Sequence, residues 1–551
     1  MTHDIQTIID FPEALQVLAF SQKLAHLIAA RAGAGSALVN HTIGEFRELE
    51  HFTALGVHPG HVAGVAGDVV VHGALQIRVL AQMKAAGVNR KDWERVKHLG
   101  LPVVLLCGGL LLGGCATVRP WQNQPMKLMD DGSQAVQVVP EIPDSKILMV
   151  VSLSGGGARA AAFGYGVLDA LRQTRMPSQG GHTSLLDEVN VISGVSGGSI
   201  LAAYFAAFGP DSLPEFEQQF LRKNFQDNLI SYALKPGNLY DLTSPWFGRS
   251  DLLARRLDDL FKGKTFGDLV KRPGQPSLLI SATDISLGAS FEFTWRQFSL
   301  ICSDLDSVPL SFAVAASSAV PIALSPLTLK NYNATCPQPV NVADSDAGAY
   351  RVRLLRDSQR SYLDANERPY IHLVDGGLAD NLGLRSLLDR SQAEGGLRRA
   401  VRRMAGTPIQ KLVIIAVNAE RDPAERIDTT DEVPSTLQVV DALLFGTGAR
   451  ATQETLELLR DTVKTWRREL RNSSGGASDP FAPDAQIHVI NVNLRDAPEL
   501  AERQFLLKIP TAFSIPAGDV SRLIEAGGRV LRNSPEFQAL VKSLGAVSAA
   551  P

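Results

Sequence analysis

Cysteine is scarce in this 551-residue chain, with four in all at positions 107, 115, 302 and 336. That rules out a disulfide-stapled scaffold, and no Cys-x-x-Cys pair or His/Cys cluster has zinc-ligand spacing. An excess of positive charge is also lacking. Lys plus Arg is 54 against 57 for Asp plus Glu, a net charge of −3, so the composition does not mark a nucleic-acid binder. The apolar run Leu101–Leu112 has only 12 residues, short of the ~20 that a membrane-spanning helix needs. Histidine thins out sharply: seven of the eleven lie in the first 82 residues (His3, His26, His41, His51, His58, His61 and His72). What remains is 45% hydrophobic and 20% charged, enough apolar material for a large core and enough length for two to four domains.

The histidine shift marks a boundary near residue 82. Met83 follows, then a basic stretch with Lys84, Arg90, Lys91, Arg95 and Lys97, the apolar run 101–112, and Gly113-Gly114-Cys115. Positive, apolar, small, then Cys is the order of a secretory signal. Leu112-Gly113-Gly114-Cys115 resembles the lipobox of bacterial lipoproteins, in which the Cys is acylated and becomes the first mature residue. The expected organisation is an N-terminal extension over 1–82, with Met83 as the working start, and a lipoprotein-like signal over 83–114. The other reading keeps 1–82 as a genuine segment ahead of a signal anchor. Either places the rest of the chain outside the cytoplasm, in a bacterial envelope, held to a bilayer through Cys115. Cys302 and Cys336 then remain as thiols. In an oxidising compartment they can pair, and the alternative is two unpaired small apolar side chains.

Residues 115–145, rich in Pro, Gln and Asp without a steady period, read as a tether. Beyond them, buried-type strands are expected at Ile147–Leu153, Val189–Ile192, Leu278–Thr283, Tyr370–Val374, Leu412–Val417 and Ile487–Val492. Helical patterns lie between them, one with Phe163, Val167, Ala170 and Leu171 on one face. This alternation predicts an α/β sheet covered by helices on both faces. Residues 211–270 read as helical and aromatic. Phe216, Phe220, Phe225, Tyr232, Tyr240, Trp246 and Phe247 serve either core packing or, for some, a lipid-facing surface.

Three elements carry chemistry. Gly194-Val195-Ser196-Gly197-Gly198 is a G-x-S-x-G between a strand and a helix, the context of a nucleophile elbow. Glycines around the turn let the strand reverse sharply and lift the Ser196 hydroxyl towards the positive end of the next helix. Gly155-Gly156-Gly157-Ala158-Arg159, also between strand and helix, can converge backbone N–H groups on one point as an oxyanion nest, with Arg159 adding a cation or ordering the loop. A loose dinucleotide fingerprint, Gly155-x-Gly157-x-x-Ala160, is the rival, but the second strand ends in the Ser196 turn and not in a ribose-binding acid. Asp375-Gly376-Gly377 closes an apolar strand. Alone it reads as a turn. Beside the other two it reads as the base that a Ser hydroxyl needs, because a desolvated carboxylate gains basicity. The competing bases, His372 and His488, both lie inside apolar strand patterns.

Together these motifs, in this order, resemble the patatin-like phospholipase family. Its G-G-G-x-R/K loop, G-x-S-x-G and D-G-G/A correspond to Gly155–Arg159, Gly194–Gly198 and Asp375–Gly377. Ala313–Pro321 looks like its Ala/Ser-rich block before a proline. The resemblance covers about residues 146–390. It implies a three-layer α/β/α fold with a mainly parallel central sheet, and residues 391–551 are then expected as a helical α/β extension packed on the catalytic domain. It implies hydrolysis of fatty acyl esters of lipids by a Ser196–Asp375 dyad, with the oxyanion held by the glycine loop and Gly197. No cofactor or metal is implied. The lipid substrate comes from the resemblance alone. A Ser-His-Asp esterase and a non-enzymatic lipid-binding lipoprotein are the alternatives.

Overall fold

The computed structural model describes residues 117–120, 122–126 and 146–546, apart from 179–180, 271–273, 337–339, 341, 343–348, 403–406, 422–430, 436–437, 440–441, 443–446 and 473–478. The expected extension over 1–82, the signal over 83–114, Cys115 and most of the tether lie outside the described residues.

An eight-stranded sheet organises the fold. Its strands are β1 (Ile147–Leu153), β2 (Val189–Val195), β3 (Ser277–Asp284), β4 (Ala289–Glu292), β5 (Leu327–Lys330), β6 (Tyr370–Val374), β7 (Ile409–Asn418) and β8 (Phe481–Asn493). The order across the sheet is β8-β7-β1-β2-β3-β6-β5, with β4 pairing on β3. Strands β8, β7, β1, β2 and β3 run parallel, whereas β3/β6, β5/β6 and β3/β4 are antiparallel.

The apolar runs expected as strands are strands because both faces of the sheet are covered. Along β1, Met149 and Val151 enter one core cluster while Leu148 enters the other. Along β7, Val413, Ile415 and Val417 face the first, and Leu412, Ile414 and Ala416 the second. The first face carries α1 (Gly157–Gln173) and α2 (Gly197–Phe208). It also carries α3 (Leu310–Ser317) and α5 (Ala517–Asn533). The second face carries α4 (Thr447–Arg471), through Leu459, Val463 and Trp466. Helix, sheet and helix make the three layers that the alternation predicts.

Two expectations need correction. Residues 391–551 are not an extension laid on a finished catalytic domain, because β7 and β8 belong to the same sheet. β7 pairs with β1 along the whole length of β1, from Ile147↔Lys411 to Leu153↔Val417. Ending the domain at 390 would expose the ladder of a buried parallel strand, which is costly without hydrogen-bond partners. The tether is also not free where it is described. Asn123 is buried and its Nδ2 donates to Ser303 Oγ and Lys330 O, both at 2.8 Å. Met126 N–H donates to Cys302 O at 2.9 Å. Of the two readings of the remaining cysteines, the pair is realised: Cys302 and Cys336 are joined, with their Cα atoms 5.6 Å apart.

Candidate active site

Ser196 sits where buried β2 turns into α2. Its backbone has φ 49° and ψ −124°, a region that a non-glycine residue occupies only when its surroundings enforce it. Several contacts do so. Ser196 N–H donates to Ser317 Oγ at 2.8 Å, and Ser317 Oγ in turn donates to Ser281 O at 2.6 Å. Both the N–H and the hydroxyl of Ser199 donate to Ser196 O, at 2.9 and 2.6 Å. The turn leaves no room beside it. A Cβ on Gly197 would lie 2.1 Å from Gly157 O, one on Gly198 2.5 Å from Ser154 O, and one on Gly194 2.6 Å from Ser199 Cα.

Asp375 ends β6, and the sheet brings it to the serine across 179 residues of sequence. The Ser196 hydroxyl donates to Asp375 Oδ2 at 2.7 Å, and both side chains are buried. Gly377 N–H donates to the other carboxylate oxygen, Oδ1, at 2.8 Å. The Asp375 backbone is clamped as well, with its N–H donating to Ala319 O at 2.9 Å and its carbonyl accepting from Thr283 Oγ1 at 2.8 Å. Burial pushes the Asp375 carboxyl up to about 6, against the opposing pull of the Gly377 N–H and the Ser196 hydroxyl.

The glycine loop passes over the same point. Gly156 and Gly157 have φ of 136° and 61°, which frees the loop to turn its amides where side chains would forbid it. Gly155 does not act as expected, because its N–H is committed to Asn381 O at 3.1 Å. A Cβ there would meet Asn381 Oδ1 at 2.6 Å and Ser196 Cβ at 3.3 Å, so Gly155 is a close-approach position and not a donor. Ala158 N–H is likewise used, by Ala512 O at 2.7 Å. The N–H groups of Gly156, Gly157 and Gly197 have no partner among the described residues, as befits residues at the starts of α1 and α2.

Of the two roles expected for Arg159, the structure supports ordering the loop. Fully buried, it donates from Nε to Ala419 O at 2.9 Å and from Nη1 to Ile509 O at 2.7 Å. Burial, and then the charge of Arg421, bring its guanidinium down to about 9. Neither histidine candidate reaches the serine. His372 Nδ1 pairs with Thr328 Oγ1 at 2.9 Å, and His488 lines a separate groove with Arg467 and Arg471.

The resulting cleft gathers Ser196, Asp375, Gly155, Gly156 and Arg159. Its other walls are Val320, Pro321, Leu378 and Asn381, with Glu420, Arg421, Gly448 and Thr511 from the C-terminal third. The cleft holds about 60 Å³, well below the ~300 Å³ at which ligand pockets begin. Sequence reading missed Ser317, Thr283 and Asn381. Ser317 lay in the quoted Ala/Ser-rich block but had no role there. Nothing local signals Thr283, which only the fold brings beneath Asp375.

No curated protein matches the chain. Among solved structures it is similar to human GIVD cytosolic phospholipase A2, at 13% identity and TM-score 0.39, over 76% of this chain and 64% of that one. It thus spans less than two thirds of that enzyme's length. VipD from Legionella pneumophila is similar at 11% identity and TM-score 0.28, over 78% of this chain and 72% of that one. ExoU from Pseudomonas aeruginosa, solved with SpcU, is similar at 14% identity and TM-score 0.22, over 73% of this chain and 74% of that one. The family model described as patatin-like phospholipase matches residues 151–388, a span that holds Ser196, Asp375 and the glycine loop.

Proposed function

We propose that the protein is a serine acyl hydrolase that cleaves fatty acyl esters of lipids, of phospholipase A, lysophospholipase or lipase type, through a Ser196–Asp375 dyad. One observation carries the reading: a serine hydroxyl on an enforced turn, 2.7 Å from a buried carboxylate whose pKa is raised to about 6. Such a carboxylate is ionised at neutral pH yet basic enough to take a proton. Ser196 Oγ attacks the ester carbonyl carbon as its proton passes to Asp375. The resulting oxyanion faces the N–H groups of Gly156, Gly157 and Gly197, each such donor being worth ~3 kcal/mol in the transition state. Collapse breaks the C–O bond to the alcohol, which leaves with the proton from Asp375. Water then attacks the acyl-Ser196 ester, Asp375 accepts its proton, and the fatty acid departs.

A fluorophosphonate ester tests the nucleophile. Wild type is expected to be labelled at Ser196 and Ser196→Ala not at all, with the fold unchanged by circular dichroism. Labelling or ester turnover that persists in Ser196→Ala would end the proposal. Asp375→Asn losing activity while His372→Ala and His488→Ala keep it would separate the dyad from a Ser-His-Asp esterase.

We also propose that the chain is an envelope lipoprotein acylated at Cys115. The order of basic segment, apolar run and Leu112-Gly113-Gly114-Cys115 supports this. Mass spectrometry of the native N-terminus is expected to find a diacylglyceryl-modified Cys115, and an N-terminus anywhere else would refute it.

A further inference from the structure

The segment between α2 and β3 divides its aromatic residues between two environments. Phe216, Phe220, Phe225 and Phe247 are core, the first three joined by successive ring contacts. After Phe225 the pattern reverses. The helices Phe225–Ala233 and Pro236–Asp241, with the turn that follows, leave Ile230, Leu234, Leu239 and Trp246 between 47% and 60% exposed, with Tyr240 at 37%. Residues 228–240 contain one charge, Lys235. Asp241, next in line, is neutralised by Arg255 at 2.6 Å. Isolated exposed leucines are ordinary, but five large apolar side chains within positions 230–246 form a surface that calls for a partner.

Three features identify the partner as a lipid surface. The residue types are those of a bilayer interface. Trp246 and Tyr240 are amphipathic rings, Lys235 Nζ lies over the Tyr232 ring at 5.0 Å, and the Arg119 guanidinium lies over Trp246 at 4.4 Å. Long basic side chains folded along rings present their charge at headgroup level, where anionic lipids attract it. The chain also arrives from the right place. Val118 O accepts from Ser244 Oγ at 2.6 Å. Cys115 precedes Val118 by three residues of sequence. Last, the surface leads to the cleft. Arg249 Nη2, just past Trp246, donates to Ile322 O at 2.9 Å. Ile322 directly follows the cleft-wall residues Val320 and Pro321. It is 55% exposed at φ 72°, a conformation that strains a β-branched residue.

Building on the lipid-hydrolase reading, we propose that Ile230, Leu234, Leu239, Tyr240, Trp246 and Ile322 form a bilayer-docking surface. It seats in the headgroup–acyl boundary beside the point where the chain leaves Cys115 and holds the cleft mouth against the lipid. An acyl anchor alone tethers a protein without orienting it, and this surface supplies the orientation.

The test uses the full chain, purified from membranes in detergent and reconstituted into phosphatidylcholine vesicles containing phosphatidylglycerol with brominated acyl chains. Trp246 emission is taken as the difference between wild type and Trp246→Phe. It is expected to shift to the blue and to lose more than half its intensity to the bromines. Vesicle-bound protein with unquenched Trp246 emission overturns the proposal. So does a wild-type dimer in detergent that Ile230→Ser/Leu234→Ser/Leu239→Ser abolishes while wild-type Trp246 stays unquenched on vesicles, because the surface then belongs to a second copy. In a second arm, Ile230→Ser/Leu234→Ser/Leu239→Ser is expected to cut hydrolysis of vesicle phospholipid about tenfold or more and to leave turnover of a monomeric short-chain nitrophenyl ester unchanged. Loss on both substrates, or on neither, counts against the surface. Wild type inert to the short ester and to fluorophosphonate would instead sink the hydrolase reading, and Trp246 quenching would still report on docking.

Discussion

At the scale of single residues, the site is governed by how Asp375 is desolvated. Its carboxyl is raised from an ordinary 3.8 to about 6, so kcat/KM is expected to rise with pH and reach half its plateau near pH 6, where the base ionises. A profile flat from pH 5 to 8 would exclude Asp375 as the base. The same shift has a stability consequence of opposite sense. The folded state holds this proton more tightly than the unfolded chain, so the stabilisation is present below about pH 4 and is lost as pH rises through 6. At pH 8 the buried charge costs about 3 kcal/mol. Asp375→Asn is therefore expected to be inactive but more stable than wild type at pH 8, with the gain vanishing near pH 4; urea unfolding at both values checks it. Ser317 acts through another residue. Its hydroxyl receives the Ser196 N–H and ties it to Ser281 O. Ser317→Ala is expected to lower kcat about 10- to 100-fold with KM nearly unchanged, because the turn loses its hold while the cleft walls stay in place. A rise in KM without loss of kcat would assign Ser317 to substrate binding.

Among the elements, α1 is the one whose surroundings are least visible in its own sequence. An amphipathic face with Phe163, Val167, Ala170 and Leu171 was legible, yet nearly the whole helix is buried. It is covered by α5, more than 350 residues later, at a distance set by glycines. A Cβ on Gly166 would lie 2.0 Å from Ile524 O, and one on Gly527 2.2 Å from Phe163 O. The glycine loop, which leads into α1, is braced by the same C-terminal region through Arg159 and the Ala419 and Ile509 carbonyls. Arg159→Met is expected to cost about 3 kcal/mol by leaving those two carbonyls unsatisfied, and Arg159→Lys to recover only part of it because an ammonium cannot span both. Chemical denaturation midpoints measure this, and a neutral Arg159→Met would show that the loop is braced elsewhere. The Cys302–Cys336 bond closes a separation of 34 residues. Replacing both with Ser is expected to cost about 3–4 kcal/mol while leaving the cleft chemistry unchanged.

For the whole molecule, the point of interest is where the catalytic domain ends. Motifs stop near residue 390, but the sheet does not. β7 occupies the edge of β1, and β8 the edge of β7. More than half of the second core cluster is supplied by β7, α4 and β8, including Ile414, Leu459, Val463, Trp466 and Ile487. A chain cut after residue 390 is accordingly expected to lack a cooperative unfolding transition and to aggregate through the bared edge of β1. A soluble, active product of that truncation would show that the residues matching the family fold by themselves.

Sequence alone determined the strand–helix alternation, the elbow at Ser196, the glycine loop and the acid at Asp375, because each is a local pattern: apolar runs, glycines beside a serine, a carboxylate at a strand end. Pairing partners could not be read the same way. Which strand lies beside β1, which carbonyls hold Arg159, that Gly155 spends its N–H on Asn381, and that Ser317 and Thr283 brace the dyad were decided by contacts across one to several hundred residues, and no local period encodes those. The carboxylate's basicity belongs to the same class. Asp375 is an ordinary aspartate in the chain, and its carboxyl rises to about 6 only where the folded sheet takes water away from it.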